Sequence, residues 1–267
     1  MQVLGLCRFS WPAIGGFQTM HETPRERARY LYAPARMEER FRYFESFTLP
    51  SLRGQTDQDF SLIVVIGPDL PEPYLARLRD LLAGLPQAVV QVQAPGQHRP
   101  VMQGAINAAR RWDKKRCIQF RIDDDDAVNL RFVERLRQIA HDAGPLIASS
   151  PTFAIDFNNG HVAYPGTEGI FALPVRRSFW APGLAAVMGP WNKQTIMNFN
   201  HARIWERMPA LSLPAPDMFV RGLGRHNDSG FDRGEAPALL DRTQEVAFRA
   251  AYGICADQIR TLFAARR

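Results

Sequence analysis

No run of apolar residues in this chain approaches the ~20 that a membrane-spanning helix needs. The first, Val3 to Leu6, is too short for the apolar core of a leader peptide, and no basic stretch precedes it. The expectation is a soluble, intracellular, cytoplasmic protein. Cysteine is scarce. Cys7, Cys117 and Cys255 are far apart, with neither the spacing of a sulfur metal site nor the number for a disulfide framework, and two of them sit in apolar strands. They read as buried thiols in a reducing compartment. There is no internal repeat, no low-complexity segment and no long basic tract. The net charge of +6 comes from arginines scattered through helix-like segments. That distribution suits a phosphate-bearing ligand or an anionic membrane surface, and not sequence-specific nucleic acid. Val3 to Ser10 holds no aspartate. A metal-dependent phosphohydrolase with its nucleophile on the first strand is therefore the weaker enzyme reading.

What is present centres on Arg121-Ile122-Asp123-Asp124-Asp125-Asp126, four carboxylates at the end of the apolar run Cys117 to Phe120. Packed this closely they repel, and apolar surroundings drive each to take up a proton. A divalent cation relieves both problems, since Mg²⁺ or Mn²⁺ favours carboxylate and phosphate oxygens together. If the strand continues, Asp123 and Asp125 share one face and Asp124 takes the other. The plainer alternative is a solvated acidic turn that caps the following helix.

The flanking pattern is α/β. Val3 to Phe9 reads as a buried first strand with Arg8 near its end, and Ser10 to Pro34 as a long loop. Met37, Phe41, Phe44 and Phe47 mark one face of a helix that Pro50 ends or kinks. Phe60 to Ile66 is too apolar to face water, which implies a parallel sheet covered on both sides. A helix from Pro71, a strand Ala88 to Val92, a helix Met102 to Trp112 and the aspartate strand complete residues 1–142. This alternation predicts a doubly wound, mostly parallel sheet. Residues 143–267 change texture, with short strands at Leu146–Ser149, Phe153–Asp156, His161–Tyr164 and Gly169–Leu173 and a hairpin turn at Asn158-Asn159-Gly160. They read as a mixed, partly antiparallel extension ending in a helix from Thr243 to Arg267, the two parts together forming one compact domain. That tail docks on the domain or, through Arg266-Arg267, reaches a membrane surface.

Several of these stretches carry a resemblance. Pro50 to Thr56, Phe60 to Ile66 and then Asp69 resemble the opening of family 2 glycosyltransferases of the GT-A fold. Gln103 to Ala109 is similar to the asparagine-bearing helix before the metal strand of that fold, and Asp123 to Asp126 stands where its Asp-x-Asp motif falls. Arg8-Phe9-Ser10, Gln55 to Phe60 and Arg121 to Asp126 more narrowly resemble a bacterial family of rhamnosyltransferases. The resemblance covers most of residues 1–142.

It implies a metal-dependent glycosyltransferase that moves a sugar, rhamnose by analogy, from a nucleoside-diphosphate donor to a glycan or glycolipid acceptor. Asp69 would meet the base, while Arg8, Asn107 and Arg121 would line the nucleotide and phosphates. Asp123 would face the ribose or a metal-bound water, and Asp125 would hold Mg²⁺ or Mn²⁺, completed by His226. The pair Asp124 and Asp126 fits the same spacing. For the catalytic base Asp217 and Glu168 are the candidates, followed by Asp228. The sequence departs from the pattern twice. Gly67-Pro68-Asp69 leaves one carboxylate where two are usual, and the back half lacks the Glu-Asp pair that supplies the base in many relatives. A non-catalytic nucleotide-binding module is the remaining alternative.

Overall fold

A computed structural model describes residues 1–15, 21–224 and 235–264. The chain runs through β1 (Gln2–Arg8), α1 (Pro24–Leu31), α2 (Pro34–Tyr43), α3 (Leu49–Arg53), β2 (Ser61–Ile66), α4 (Glu72–Leu82), β3 (Ala88–Val92), α5 (His98–Ala109) and β4 (Cys117–Asp123). After these come β5 (Ala127–Val128), α6 (Phe132–Asp142), α7 (Gly144–Ala148), β6 (Thr152–Phe157), β7 (Asn159–Gly166), β8 (Gly169–Arg176) and β9 (Leu184–Met188). The last elements are β10 (Ala210–Leu213), β11 (Phe219–Gly222), β12 (Ala238–Leu239), α8 (Arg242–Tyr252) and α9 (Ala256–Ala264).

The main sheet has the order β10-β6-β9-β4-β1-β2-β3, and β9 is its one strand that runs against the rest among the described residues. Strand alternation splits its side chains between two cores. Val3, Cys7, Ile118, Phe120 and Ile122 pack with Met37, Phe41, Leu78 and Leu136 of α2, α4 and α6 on one face. Leu4, Leu6, Ile63 and Val65 pack with Met102 and Ile106 of α5, and with Ile196 and Ile204 from single-turn helices, on the other. Burial on both faces is what the apolar run of β2 requires. A second sheet, β12-β8-β7-β11-β5, rests against α8 and α9 through Phe248, Tyr252 and Ile259. A doubly wound, mostly parallel sheet with a mixed extension and a C-terminal helical end is thus the architecture. No helix among the described residues is long and apolar enough to cross a membrane.

The local differences from the sequence reading have physical causes. The loop from Ser10 contains α1, whose start is fixed by a capping box in which the Thr23 hydroxyl accepts from the Glu26 N–H and the Glu26 carboxylate accepts from the Thr23 N–H. Pro50 does not end the helix. A π turn over Phe44–Thr48, with the Leu49 N–H donating to the Phe44 carbonyl, widens the chain ahead of the ring and lets it continue into α3. Leu146 to Ser149 is not a strand, since α7 covers most of it. Asn158-Asn159-Gly160 is no hairpin either. Gly160 lies inside β7, where a Cβ would stand 2.3 Å from the Phe219 carbonyl oxygen, so glycine is needed there for close approach of strands.

Candidate nucleotide site

Parallel pairing of β1 with β4 sets Arg8 opposite Asp123 at the carboxyl edge of the sheet. That edge is where ligands bind in open α/β sheets. Alternation puts Arg8, Arg121 and Asp123 on the face that α5 covers. Arg8 Nη2 donates to Asp123 Oδ1 at 2.5 Å, and its Nη1 lies 3.0 Å from Nε2 of His98, the first residue of α5. Burial works against charge on Asp123, but the guanidinium groups of Arg8 and Arg121, and more weakly Arg221, hold its carboxyl well below the usual range. Arg221, on β11, stands 5.0 Å over the Trp180 ring. Arg121 is half-buried and has no hydrogen-bond or ion-pair partner among the described residues. Burial, with Arg8 and Arg221 acting in the same sense, brings its pKa down to about 10 against the pull of Asp123.

The aspartates divide at the end of β4. The strand stops at Asp123, and the Asp126 N–H donates to the Asp123 carbonyl at 3.2 Å, which makes a turn. Alternation therefore stops as well, and Asp125 does not share a face with Asp123. Asp124 Oδ1 and Asp125 Oδ2 both accept from Arg40 Nη1, at 3.2 and 2.6 Å, and Asp124 Oδ2 also takes the Ser10 N–H at 3.3 Å. Burial raises the Asp124 pKa to about 6, with Asp125 adding to the rise and Arg40 and Arg36 opposing it. Asp126 Oδ1 accepts from the Gly222 N–H at 3.1 Å, and its buried Oδ2 has no partner among the described residues. Burial, then the charge of Asp125, pushes this carboxyl well up. Side-chain exposure separates the roles, at 37% for Asp123 against 7% for Asp125.

The donor set does not fit a resident Mg²⁺ or Mn²⁺ held by Asp123 and Asp125. Asp125 is buried against Arg40, on the far side of the turn from Asp123, and the counter-charge the run needs is supplied by arginine. Among the described residues no three His, Cys, Asp or Glu side chains come together as a metal group. His226 and Asp228 lie outside the described residues.

The other expected residues scatter. Asp69 is exposed in the turn after β2, on the same carboxyl edge and two strand spacings, about 10 Å, from β4. The nearby Tyr32 hydroxyl is buried and without a partner among the described residues; burial and then the charge of Asp69 raise its pKa. Asn107 does not join the group. It sits near the far end of α5, about 13 Å below His98 by helical rise. There its amide donates to the Lys193 carbonyl at 2.8 Å, close to where Gln2, at the amino end of β1, bonds Ala109. Asp217 is exposed before β11, four residues or about 13 Å of extended chain from Arg221. Its carbonyl accepts from Asn129. Glu168 is exposed in the β7–β8 turn, where its carbonyl accepts from Arg260 of α9. Neither carboxylate reaches the Arg8–Asp123 pair.

Two groups on the site's face are absent from the sequence reading. His201 Nδ1 lies 2.7 Å from the Phe179 carbonyl. Burial, then Arg121, lowers its pKa to about 4, with that carbonyl and Asp123 opposing, so the ring is neutral and within electrostatic reach of the edge. Asp156 is fully buried on β6 and accepts from the Phe179 N–H at 2.8 Å and the Ser212 hydroxyl at 2.5 Å. It anchors the turn at Phe179, whose φ is +58°. Isolated His and Asp residues carry no motif, and only the topology brings them to this face.

A family model described as "Putative rhamnosyl transferase" matches residues 2–236. No curated protein matches the sequence. Among solved structures the chain is similar to S. aureus TarS 1–349 in complex with UDP, at 10% identity and a TM-score of 0.45, over 84% of this chain and 61% of that one. It is also similar to the same protein in complex with UDP-GlcNAc, at 12% identity and 0.42, over 87% and 62%. The chain thus spans about three fifths of the TarS chains it matches.

Proposed function

The chain belongs to the putative rhamnosyl transferase family, and from that premise we propose that it transfers a sugar, rhamnose in the first instance, from a nucleoside-diphosphate donor to a hydroxyl of a glycan or glycolipid. The observation that carries this reading is the Arg8–Asp123 pair at the carboxyl edge of the sheet, with Arg121 beside it unpartnered among the described residues. An unsatisfied, partly desolvated guanidinium is a site for a planar bidentate anion, and a phosphate fits it.

In this reading the donor lies across the ends of β1, β2 and β4. Asp69 takes hydrogen bonds from the base, and the Tyr32 hydroxyl beside it is positioned to find the partner it lacks. Asp123 accepts from the ribose while Arg8 keeps it ionised. The acceptor oxygen bonds to the anomeric carbon as the bond from that carbon to the diphosphate breaks, the electron pair leaving with the phosphate oxygen. The hydroxyl proton passes to a base, and His201, neutral and tied at Nδ1, is the side chain assigned that role in this reading.

Incubation with dTDP-rhamnose, UDP-rhamnose and the corresponding GDP-sugars, each with and without bacterial glycan extracts, tests the assignment. Release of the nucleoside diphosphate together with label in the glycan is the expected result. Release of inorganic phosphate from simple phosphate esters, with no sugar transferred, would replace it with a phosphohydrolase.

A further inference from the structure

We infer that the diphosphate of the donor is bound here by guanidinium groups, Arg121 with Arg8 and Arg221, and not through a resident divalent cation. This rests on the donor reading above and deepens it.

The charges on the two sides of the aspartate turn are the argument. On the buried side, Asp124 and Asp125 are matched by Arg40, with Arg36 acting on Asp124 as well. Asp126 is turned to the backbone, its Oδ1 accepting from the Gly222 N–H at 3.1 Å. Asp123 lies on the open side, paired with Arg8 at 2.5 Å, and Arg121 and Arg221 act on it as well. Among the described residues the groups gathered around Asp123 are guanidiniums, a setting that favours an incoming diphosphate over a cation. Asp125 can turn towards a metal only by giving up its 2.6 Å charge-assisted bond to Arg40 on the buried side.

The second observation is Arg121 itself. A guanidinium has five donors and no way to shed its charge near neutral pH. Buried arginines normally spend those donors on carboxylates or carbonyls, as Arg110 does on the carbonyls of Gly189, Pro190 and Asn192. Arg121 spends none on any described residue. Its place on β4, two residues before Asp123 and on the same face, puts it next to the edge where the nucleotide is proposed to lie. The four aspartates that look like a metal motif are, in this arrangement, the scaffold that positions arginines.

The test is titration calorimetry of the full chain with dTDP, UDP and GDP, in EDTA and again with Mn²⁺. The expected result is a diphosphate affinity in EDTA within about threefold of that in Mn²⁺, since charge-assisted pairs and not the metal carry it. Arg121→Gln should weaken that affinity by about tenfold or more while leaving the melting temperature at or above that of the native chain, because it removes an unpaired desolvated charge. The wild-type comparison needs no variant, so misfolding of Arg121→Gln does not spoil the test. Binding seen only with Mn²⁺ overturns the inference and leaves the donor assignment standing, as does full affinity in Arg121→Gln. Failure of every diphosphate to bind in both buffers removes the inference and the donor assignment together.

Discussion

Arg40 and Asp125, which are 85 residues apart in sequence, meet at 2.6 Å with both side chains buried, and the same nitrogen reaches Asp124 at 3.2 Å. One guanidinium thus compensates two carboxylates. Burial opposes charge on Arg40, yet the two aspartates still raise its pKa. Arg40→Met should destabilise the fold by roughly 3 kcal/mol at neutral pH, since it strands two buried carboxylates. Those carboxyls then titrate with raised pKa values in the folded state, so the variant binds more protons folded than unfolded and should regain stability as pH falls. Urea denaturation at pH 7 and pH 5 checks both statements, and an equal deficit at the two pH values would dismiss the pairing as the cause.

Gly222 tests the turn from its other side. A Cβ there would stand 2.1 Å from the Asp125 carbonyl oxygen and 2.9 Å from its carbon, and both are backbone atoms with nowhere to swing. Gly222→Ala should therefore displace the aspartate turn, at a cost of ~1–3 kcal/mol, and weaken nucleoside-diphosphate binding. Gly104→Ala, in the interior of α5 with nothing within 4 Å of the added carbon, is the control. It should be neutral or stabilising by ~0.5–1 kcal/mol, the usual gain of alanine over glycine in a helix. Thermal melts and calorimetry on the two variants separate a specific close approach from a general intolerance of substitution.

The parallel half of the fold was legible because burial on both faces leaves uninterrupted apolar runs such as Leu62 to Ile66, and breakers frame them. The position of the aspartates at a strand tip was legible for the same reason. Their partners were not. Arg40 reads as one more polar residue on an amphipathic helix, and nothing local says that its face lies under the end of β4. The turn after Asp123 also defeats strand alternation, which holds only while the strand lasts. Asn107 shows the converse. A residue type suited to a nucleotide is carried by the helical rise to the end of α5 away from Arg8 and Asp123. The single-turn helices that bring His201 to the site are too short to leave any periodic pattern.

Asn107 itself gives a direct comparison with the resemblance-based expectation. Its amide holds the Lys193 carbonyl, as does that of Gln103; both residues are half-buried, and Asn107 lies near the end of α5 away from Arg8. Asn107→Ala should leave nucleotide affinity within about twofold and cost no more than about 1 kcal/mol, the usual value of one such hydrogen bond. Asp217→Asn and Glu168→Gln should likewise leave sugar transfer within a few-fold of the native rate, because neither side chain approaches the Arg8–Asp123 edge. A hundredfold loss of transfer in any of the three, with the melting temperature held, would move the site towards that residue.

Asp156 makes stability depend on pH in a way that can be isolated. Burial raises its pKa from 3.8 to about 6, against the hydrogen bonds from Ser212 and Phe179, which favour the ionised form. Between these two values the folded chain holds a proton that the unfolded chain has lost, so this group's contribution to stability falls as pH rises from about 4 to about 6 and is level above that. The shift of about two units corresponds to roughly 3 kcal/mol as an upper figure. Asp156→Asn keeps the oxygen that accepts the Phe179 N–H and cannot ionise, so it should remove this slope while the turn at Phe179 survives. If the variant instead lost sugar transfer with the slope unchanged, Asp156 would act through the carbonyl of Phe179 on His201 and not through its own titration. Urea midpoints at half-unit steps of pH, run beside transfer assays on the same preparations, give both readouts.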